Sequence, residues 1–329
     1  MVGFIERSDV IRKLPLLALL LLLSASASAA SRCGDKGVWL QVLGSGGPEI
    51  TDGRASAGYL IWRDGHARIL VDMGGGSMLR FEQTGANPND LDLILLTHLH
   101  VDHSADLPYL IKAYYFTNRD RDLPIYGPTG NFLMPPVTEF VNDLFGPKGA
   151  YRYLSGYLDG SESYRIIPHD VNASEKARKT ILENASYKIS AVPVHHGPIP
   201  ALAWRVDIGG HSIVFSGDMN NDNHTLAGLA AGADILVAHH AIPEDAGGAA
   251  RDLHMPPSVI GEIAGQAKVK HLVLSHRMNR TLGKEAESTK FIRKNYLGPL
   301  DFAEDLQCFK PVALKTRTYA GINLKEQPK

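Results

Sequence analysis

The chain has 329 residues, which is enough for one large α/β domain or two small domains. Its composition, 44% hydrophobic and 21% charged with 32 glycines and 19 prolines, excludes a disordered chain, a collagen-like repeat and a coiled coil. The net charge is −1 at neutral pH, so no basic excess indicates a nucleic-acid partner.

The first 29 residues have the composition of a secretory signal peptide. Arg7, Arg12 and Lys13 precede an apolar run over 14–23, and small residues of the Ala-x-Ala type follow. An uncleaved membrane anchor is the alternative, but this run is too short to cross a bilayer without the Ser/Ala tail. We expect residues 1–29 to be removed, no stable membrane span to remain, and the protein to be secreted or periplasmic.

Two cysteines are too few for a zinc ribbon or a disulfide-rich scaffold. Cys33 and Cys308 lie near opposite ends of the exported chain, and an oxidising compartment would allow them to form a disulfide. Two unrelated thiols are the alternative, because the sequence does not show whether the two ends meet.

Residues 30–329 are predicted to form a single domain with many strands and a few helices. Helical patterns occur at Ala105–Phe116, Thr225–Ala231 and Pro257–Ala267. This alternation predicts a layered α/β or α+β fold, and the polar, tyrosine-rich segment 145–186 is expected to form a surface excursion that could act as a lid. Apolar runs of strand length and composition occur at nine places: Val38–Leu43, Tyr59–Trp62, Arg68–Val71, Leu93–Thr97, Tyr187–Val194, Ala201–Val206, Ser212–Phe215, Ile235–Ala238 and His271–Leu274.

The candidate metal ligands are concentrated in the hexapeptide His98–His103, which follows the fourth predicted strand. His98 and His100 point the same way while the backbone is extended, so two imidazoles can reach one metal ion. If the chain then turns into a helix, Asp102 and His103 can reach a second ion. Imidazole and carboxylate are ligands that Zn²⁺ prefers, whereas a plain cluster of surface histidines would not offset its own desolvation.

Further ligand-type residues follow three later apolar runs. The runs end at His195-His196, at Asp218 and at His276. Because a sheet can direct the ends of its strands to a common edge, we expect these side chains to converge with the hexapeptide and complete the coordination of the metal.

Together these features resemble the metallo-β-lactamase superfamily, from about Val38 to His276. Three further segments, Leu43–Pro48, Leu70–Gly76 and Ile125–Pro128, resemble the ribonuclease Z and arylsulfatase-like branch. The resemblance implies an αββα sandwich with a binuclear zinc site at one sheet edge.

The resemblance also implies a role for each donor. Seven side chains would hold two zinc or similar divalent ions: His98, His100 and His196 on the first, Asp102, His103 and His276 on the second, and Asp218 bridging them. Asp72 would orient a ligand histidine from one step further out. We prefer His196 to His195 because His196-Gly197-Pro198 directly precedes an apolar stretch, as the ligand of this family usually does.

Two ions that share a water would lower the pKa of that water and yield a hydroxide near neutral pH. Asp102 is expected to accept its proton or to orient it. His239, His240 and His254 are candidates to protonate the leaving group, with His239 and His254 preferred, although each could instead be a hydrogen-bonded structural histidine.

The sequence therefore predicts an exported binuclear zinc hydrolase that uses a metal-bridging hydroxide on a small anionic ester, either a phosphodiester or a sulfate ester. The alternatives are a carboxylic ester or lactone hydrolase of the same fold, a ribonuclease Z-like endonuclease, and a metal-binding scaffold without turnover. Ribonuclease Z enzymes carry an arm that grips transfer RNA between the third histidine and the bridging aspartate. Only 22 positions separate His196 from Asp218, so we disfavour that alternative and expect no nucleic-acid partner. A homodimer is left open.

Overall fold

The computed structural model describes residues 32–311. The predicted signal peptide, residues 1–29, lies outside this range, so its cleavage and the secreted or periplasmic location stay predictions. Within residues 32–311, no helix is both long enough and apolar enough to span a membrane.

Two seven-stranded sheets form the centre of the domain, in the orders β14-β1-β2-β3-β4-β5-β6 and β13-β12-β11-β10-β9-β8-β7. Strands β3 to β6 of the first sheet run parallel to one another, as do β10 to β13 of the second. The strand bounds are β1 Val38–Gly44, β2 Gly58–Arg63, β3 His66–Met73, β4 Leu93–Leu95, β5 Leu123–Pro128, β6 Ile166–Val171, β7 Lys179–Glu183, β8 Tyr187–His196, β9 Ile199–Ile208, β10 His211–Phe215, β11 Ile235–His239, β12 Leu272–Ser275, β13 Leu300–Phe302 and β14 Cys308–Phe309.

Helices cover the outer faces of both sheets. Short 3₁₀ turns lie at Pro88–Asp90 and Arg152–Leu154. The α-helices of the described residues are α1 Ser77–Gln83, α2 Val101–Ser104, α3 Leu107–Tyr114, α4 Val137–Phe145, α5 Gly156–Asp159, α6 Leu226–Leu229, α7 Gly248–Leu253, α8 Pro257–Gln266 and α9 Glu285–Ile292.

The alternation of side chains along the strands builds three apolar layers. On β2, Tyr59 and Ile61 point into the core between the sheets, whereas Leu60 and Trp62 point to the outer core beneath α1, α3 and α4. A third core lies between the second sheet and the helices α6, α8 and α9. This arrangement confirms the predicted αββα sandwich and the single domain.

All nine predicted strands are present, and the three predicted helices occur as α3, α6 and α8 with shorter bounds. The segment 145–186 differs from the expected surface excursion. It supplies β6 and β7, the edge strands of the two sheets, and it buries Leu154, Tyr157 and Tyr164 in the outer core. Edge strands bury few side chains, so their apolar pattern is weak, and the buried tyrosines made the segment look polar.

The parallel strands bring several chain segments to one edge of the sandwich. Asp72 lies at the end of β3, and the hexapeptide follows β4. In the second sheet, β10, β11 and β12 run in the same direction and end just before or at ligand-type residues. The carboxyl ends of parallel strands are the usual location of a functional site in such sheets.

A disulfide joins the two ends of the described chain. Cys33 and Cys308 are bonded, with their Cα atoms 5.7 Å apart, and they close a loop with a sequence separation of 275. Cys308 belongs to β14, which pairs with β1 at the edge of the first sheet. The two cysteines are therefore paired and are not two unrelated thiols.

The double variant Cys33→Ser/Cys308→Ser is expected to be less stable than the wild type by about 2–5 kcal/mol, because the unfolded chain loses a long covalent loop. Urea unfolding measures this difference. A reductant should lower the unfolding midpoint of the wild type and leave that of the double variant unchanged. Equal midpoints for the oxidised wild type and the variant would contradict a stabilising disulfide.

Candidate metal centre

Asp218 lies at the centre of a cluster of imidazoles. Its carboxylate follows β10 after Gly217, which has a positive φ of 59°. The distances from Asp218 Oδ2 to five histidine nitrogens are 3.4 Å for His276 Nε2, 3.7 Å for His103 Nε2, 3.7 Å for His196 Nε2, 3.9 Å for His254 Nδ1 and 4.0 Å for His98 Nε2. One carboxylate oxygen is therefore shared by donors from both sheets.

The remaining predicted donors complete this cluster. His100 Nδ1 lies 3.3 Å from His196 Nε2, and Asp102 Oδ2 lies 3.1 Å from His276 Nε2. The backbone is extended up to His100 and turns into α2 at Val101, so the hexapeptide presents its donors in two directions, as predicted. The structure thus brings all seven predicted ligands together.

Partners outside the cluster fix the orientation of two ligand imidazoles. Asp72 accepts hydrogen bonds from His103 Nδ1 at 2.8 Å and from the backbone nitrogen of Thr97 at 2.7 Å. The carbonyl oxygen of Leu253 accepts a hydrogen bond from His196 Nδ1 at 2.9 Å. In both histidines the Nδ1 proton is thereby occupied and Nε2 faces the cluster, which is the arrangement that metal sites require.

One predicted ligand and one hydrogen-bond partner of a ligand have strained backbones. Asp72 and His276 adopt positive φ angles of 53° and 54°. Left-handed conformations are unfavourable for residues with a side chain and concentrate at functional sites. The unfavourable backbone conformation is therefore retained where it directs these two side chains toward the cluster.

The residues present fit a metal ion. His98 Nε2 and His103 Nε2 are buried and have no hydrogen-bond partner among the described residues. Leaving such a nitrogen unpaired costs about 1–3 kcal/mol unless a ligand satisfies it. Three groups of donors with all ligand atoms within 4.8 Å of one another could hold an ion: His98, His100 and His196; His103, Asp218, His239 and His276; and His196, Asp218 and His254.

The electrostatics differ from one imidazole of the cluster to the next. Burial acts to lower the pKa of His103 and of His276, but nearby carboxylates raise both above the ordinary value. Burial lowers the pKa of His98 well below its ordinary value, and the neighbouring His103 and His196 act in the same direction. Burial alone would raise the pKa of Asp218, yet His276 and His254 hold it well below its ordinary value. A neutral imidazole beside an ionised carboxylate is the donor pair that a divalent cation takes.

His239 orients Asp218. Its Nδ1 donates to Asp218 Oδ1 at 2.8 Å, and its Nε2 lies 3.0 Å from the hydroxyl of Tyr59. Burial lowers the pKa of His239 to about 4. Both ring nitrogens are engaged in the protein, so this histidine, predicted as a proton donor, is placed as a positioning residue.

Tyr59 is a contributor that the sequence did not reveal. Its hydroxyl also lies 3.0 Å from Ser275 Oγ, which ties β2 of the first sheet to β12 of the second. A tyrosine on the inward face of a strand has the same pattern as any core residue, so no sequence signal distinguishes it. The carbonyl of Leu253 was missed for a similar reason, since any residue carries one.

The other two candidate proton donors differ in position. His254 borders the cluster, and its Nδ1 has no hydrogen-bond partner among residues 32–311. Burial lowers its pKa to about 3, and His276, His196 and Arg280 act in the same direction. His240 faces away, with Nε2 2.9 Å from Ser288 Oγ. Neighbouring residues at the end of β11 point to opposite faces of the sheet, so only His239 of this pair can reach Asp218.

The same alternation separates His195 from His196. The side chain of His195 is 41% exposed, and its nearest acidic partner is Asp222 at 3.6 Å. His196 is buried and faces Asp218. The geometry places His196, the preferred residue, at the cluster.

Gly74 allows the hexapeptide to approach β3 closely. A Cβ atom at this position would collide with the carbonyl oxygen of Asp102. At the adjacent Gly75, a Cβ atom would meet nothing within 4 Å. Of these two glycines, only Gly74 is required by contact with the backbone of the hexapeptide.

Comparison with known proteins identifies relatives over most of the chain. Residues 67–277 match the family described as Beta-lactamase superfamily domain. The protein named Ribonuclease Z from Mycobacterium sp. (strain KMS) is 32% identical over 273 residues, which cover 78% of this chain and 92% of the relative.

Solved structures share the fold. The metallo-beta-lactamase fold protein YhfI from Bacillus subtilis superposes with a TM-score of 0.64 at 21% identity, covering 83% of this chain and 98% of that one. The short form of human tRNase Z gives a TM-score of 0.64 at 19% identity, covering 84% of this chain and all (100%) of that one. At such identities the likeness concerns the fold.

The prediction of a hydrolase of small anionic esters is wrong. The curated relatives are named Ribonuclease Z, which favours the alternative that the sequence analysis set aside. The hairpin of β9 and β10 does fill the space between His196 and Asp218 without an arm. However, the relative from Mycobacterium sp. (strain KMS) aligns with this chain over 92% of its length.

Replacing His196 with alanine is expected to lower the content of bound divalent metal, because the side chain lies in the donor cluster. The matched variant His195→Ala should retain the metal content of the wild type, since His195 faces solvent. Elemental analysis after dialysis against zinc measures both. Equal losses in the two variants would contradict the assignment.

Gly74→Ala is expected to lower the free energy of unfolding by about 1–3 kcal/mol, because the new methyl group forces the hexapeptide away from β3. It should also lower metal content, since the displaced segment carries four of the donors. Gly75→Ala is the matched control and should change neither quantity. A stable Gly74→Ala variant with full metal content would refute the tight approach.

Proposed function

The chain belongs to the beta-lactamase superfamily, and from this premise we propose that it is a metal-dependent endoribonuclease that hydrolyses phosphodiester bonds in RNA. The observation that carries the proposal is a complete donor cluster around Asp218 in a chain that is 32% identical to a protein named Ribonuclease Z.

We propose two zinc ions as the resident cofactor. His98, His100 and His196 would hold one ion and Asp102, His103 and His276 the other, with Asp218 shared between them. The sharing is supported by the position of Asp218 Oδ2 within 4.0 Å of ligand nitrogens on both sides. When bound, such ions lower the pKa of water and offset the negative charge that develops on a phosphate.

The chain's own residues supply orientation and proton handling. Asp102 is suited to accept the proton of a water, because it remains ionised: burial would raise its pKa, but His103 and His276 lower it well below the ordinary value. Asp72 and His239 hold His103 and Asp218 in place through hydrogen bonds.

His254 is the side chain suited to contact the substrate. With a pKa of about 3, its imidazole is neutral at pH 7 and keeps one N–H that can donate a hydrogen bond to a phosphate oxygen. Two guanidinium groups lie nearby: Arg251 donates to the carbonyl oxygen of His254 at 3.4 Å, and Arg280 donates to the carbonyl oxygen of Ala241 at 2.6 Å. Cations beside a divalent metal centre favour a polyanionic substrate.

Asp218→Asn is expected to reduce RNA cleavage by at least a hundredfold, because replacing groups one step further from a metal already costs roughly 10–100-fold. The control is Asp222→Asn, the same substitution at a side chain that is 69% exposed and lies outside the cluster. Cleavage of a labelled transfer RNA precursor and of an unstructured RNA, followed on gels with added zinc, measures the effect.

The same preparation is then assayed on small chromogenic phosphodiester and sulfate esters. The proposal predicts a kcat/KM for RNA that exceeds the value for either ester. It would be refuted by a protein that loads zinc, hydrolyses the esters and leaves every RNA intact.

A further inference from the structure

An exposed aromatic residue lies in a loop at the edge of the first sheet where the parallel strands β3, β4 and β5 end. Phe132, in the loop 129–136 between β5 and α4, is 89% exposed, and the adjacent Leu133 is 50% exposed. Phe132 therefore buries little of its surface against its own chain, and Leu133 about half of its surface. Their position suggests contact with a molecule that binds there.

The loop is fastened to the segment that carries a ligand histidine. Asn131 Nδ2 donates a hydrogen bond of 2.7 Å to the carbonyl oxygen of Pro198, two residues after His196. Gly197, between them, faces the side chain of Leu253, whose carbonyl oxygen orients His196. The loop is therefore attached to the side of the cluster where His196 and His254 lie.

The loop is also held in one conformation. Asn131 Oδ1 accepts hydrogen bonds from the backbone nitrogens of Leu133 at 2.9 Å and Met134 at 3.0 Å, and the Asn131 nitrogen donates to the carbonyl oxygen of Met134 at 2.8 Å. Pro135 and Pro136 follow and restrict the backbone further. A loop whose backbone is already ordered loses less conformational entropy when a ligand binds to it.

Resting on the proposed function, we propose that Phe132 stacks on an unpaired base of the RNA beside the scissile bond, so that the substrate class is RNA with a single-stranded cleavage site. Aromatic stacking accepts any base because every base has a π-face, and it requires a base that is free of the duplex. Arg251 and Arg280, on the His254 side of the cluster, are suited to the phosphates of the same strand. Phe132 is thus a substrate-binding residue that selects unpaired RNA without reading its sequence.

The experiment crosses variants of Phe132 with substrates that lack one base. A set of RNA substrates carries a single abasic nucleotide at each position flanking the cleavage site, and kcat/KM is measured for the wild type, Phe132→Ala and Phe132→Trp. On intact RNA, Phe132→Ala should lose about tenfold, and Phe132→Trp should retain wild-type activity. At one position, removing the base should cost the wild type about tenfold and leave Phe132→Ala unchanged.

The matched control is Phe116→Ala, which removes a phenylalanine that is 77% exposed beyond the end of α3. It should behave as the wild type on every substrate. Unaltered cleavage by Phe132→Ala, or an equal loss on all abasic substrates, would overturn the stacking role while leaving RNA cleavage intact. A change in oligomeric state in place of that substrate dependence would assign the loop to a protein contact. If the wild type cuts no RNA, both proposals fall together.

Discussion

The contact of one carboxylate oxygen with imidazoles from two sheets is the constraint on which the molecule depends. Asp218 Oδ2 lies 3.7 Å from His103 of the first sheet and 3.4 Å from His276 of the second. Placing them together requires the parallel parts of both sheets to end at the same edge. The left-handed backbone of Asp72 and His276 and the close approach at Gly74 are local costs of that placement.

Much of the fold could be predicted because its central strands obey simple patterns. Tyr59–Trp62 alternates between two cores, and the run before His98 is apolar throughout because it is buried on both faces. The segment 145–186 could not be predicted, since β6 and β7 are edge strands whose membership depends on distant partners. The disulfide of Cys33 and Cys308 was undecided for the same reason: only the paired β1 and β14 bring the two cysteines together.

The residues of the site likewise divide into those that the sequence could predict and those that it could not. The metal donors could be predicted because their residue types are chemically distinctive and follow apolar runs, whereas Tyr59 and the Leu253 carbonyl act through groups that any protein contains. The prediction of the substrate was wrong because the metal-binding side chains determine how a bond is cleaved. They do not determine which molecule is bound. The short connection from His196 to Asp218 leaves no room for an RNA-binding arm at that place. It carries no information about other exposed loops, such as the loop of Phe132.

The chain path has a topological consequence. It leaves the first sheet for the second between β6 and β7, and it returns between β13 and β14, where Cys308 is bonded to Cys33. The described chain is therefore nearly a closed ring made of two arcs, one per sheet. Such a ring can be opened elsewhere: joining its ends and cutting in the mostly exposed stretch 172–178 would give a circular permutant that keeps both arcs whole.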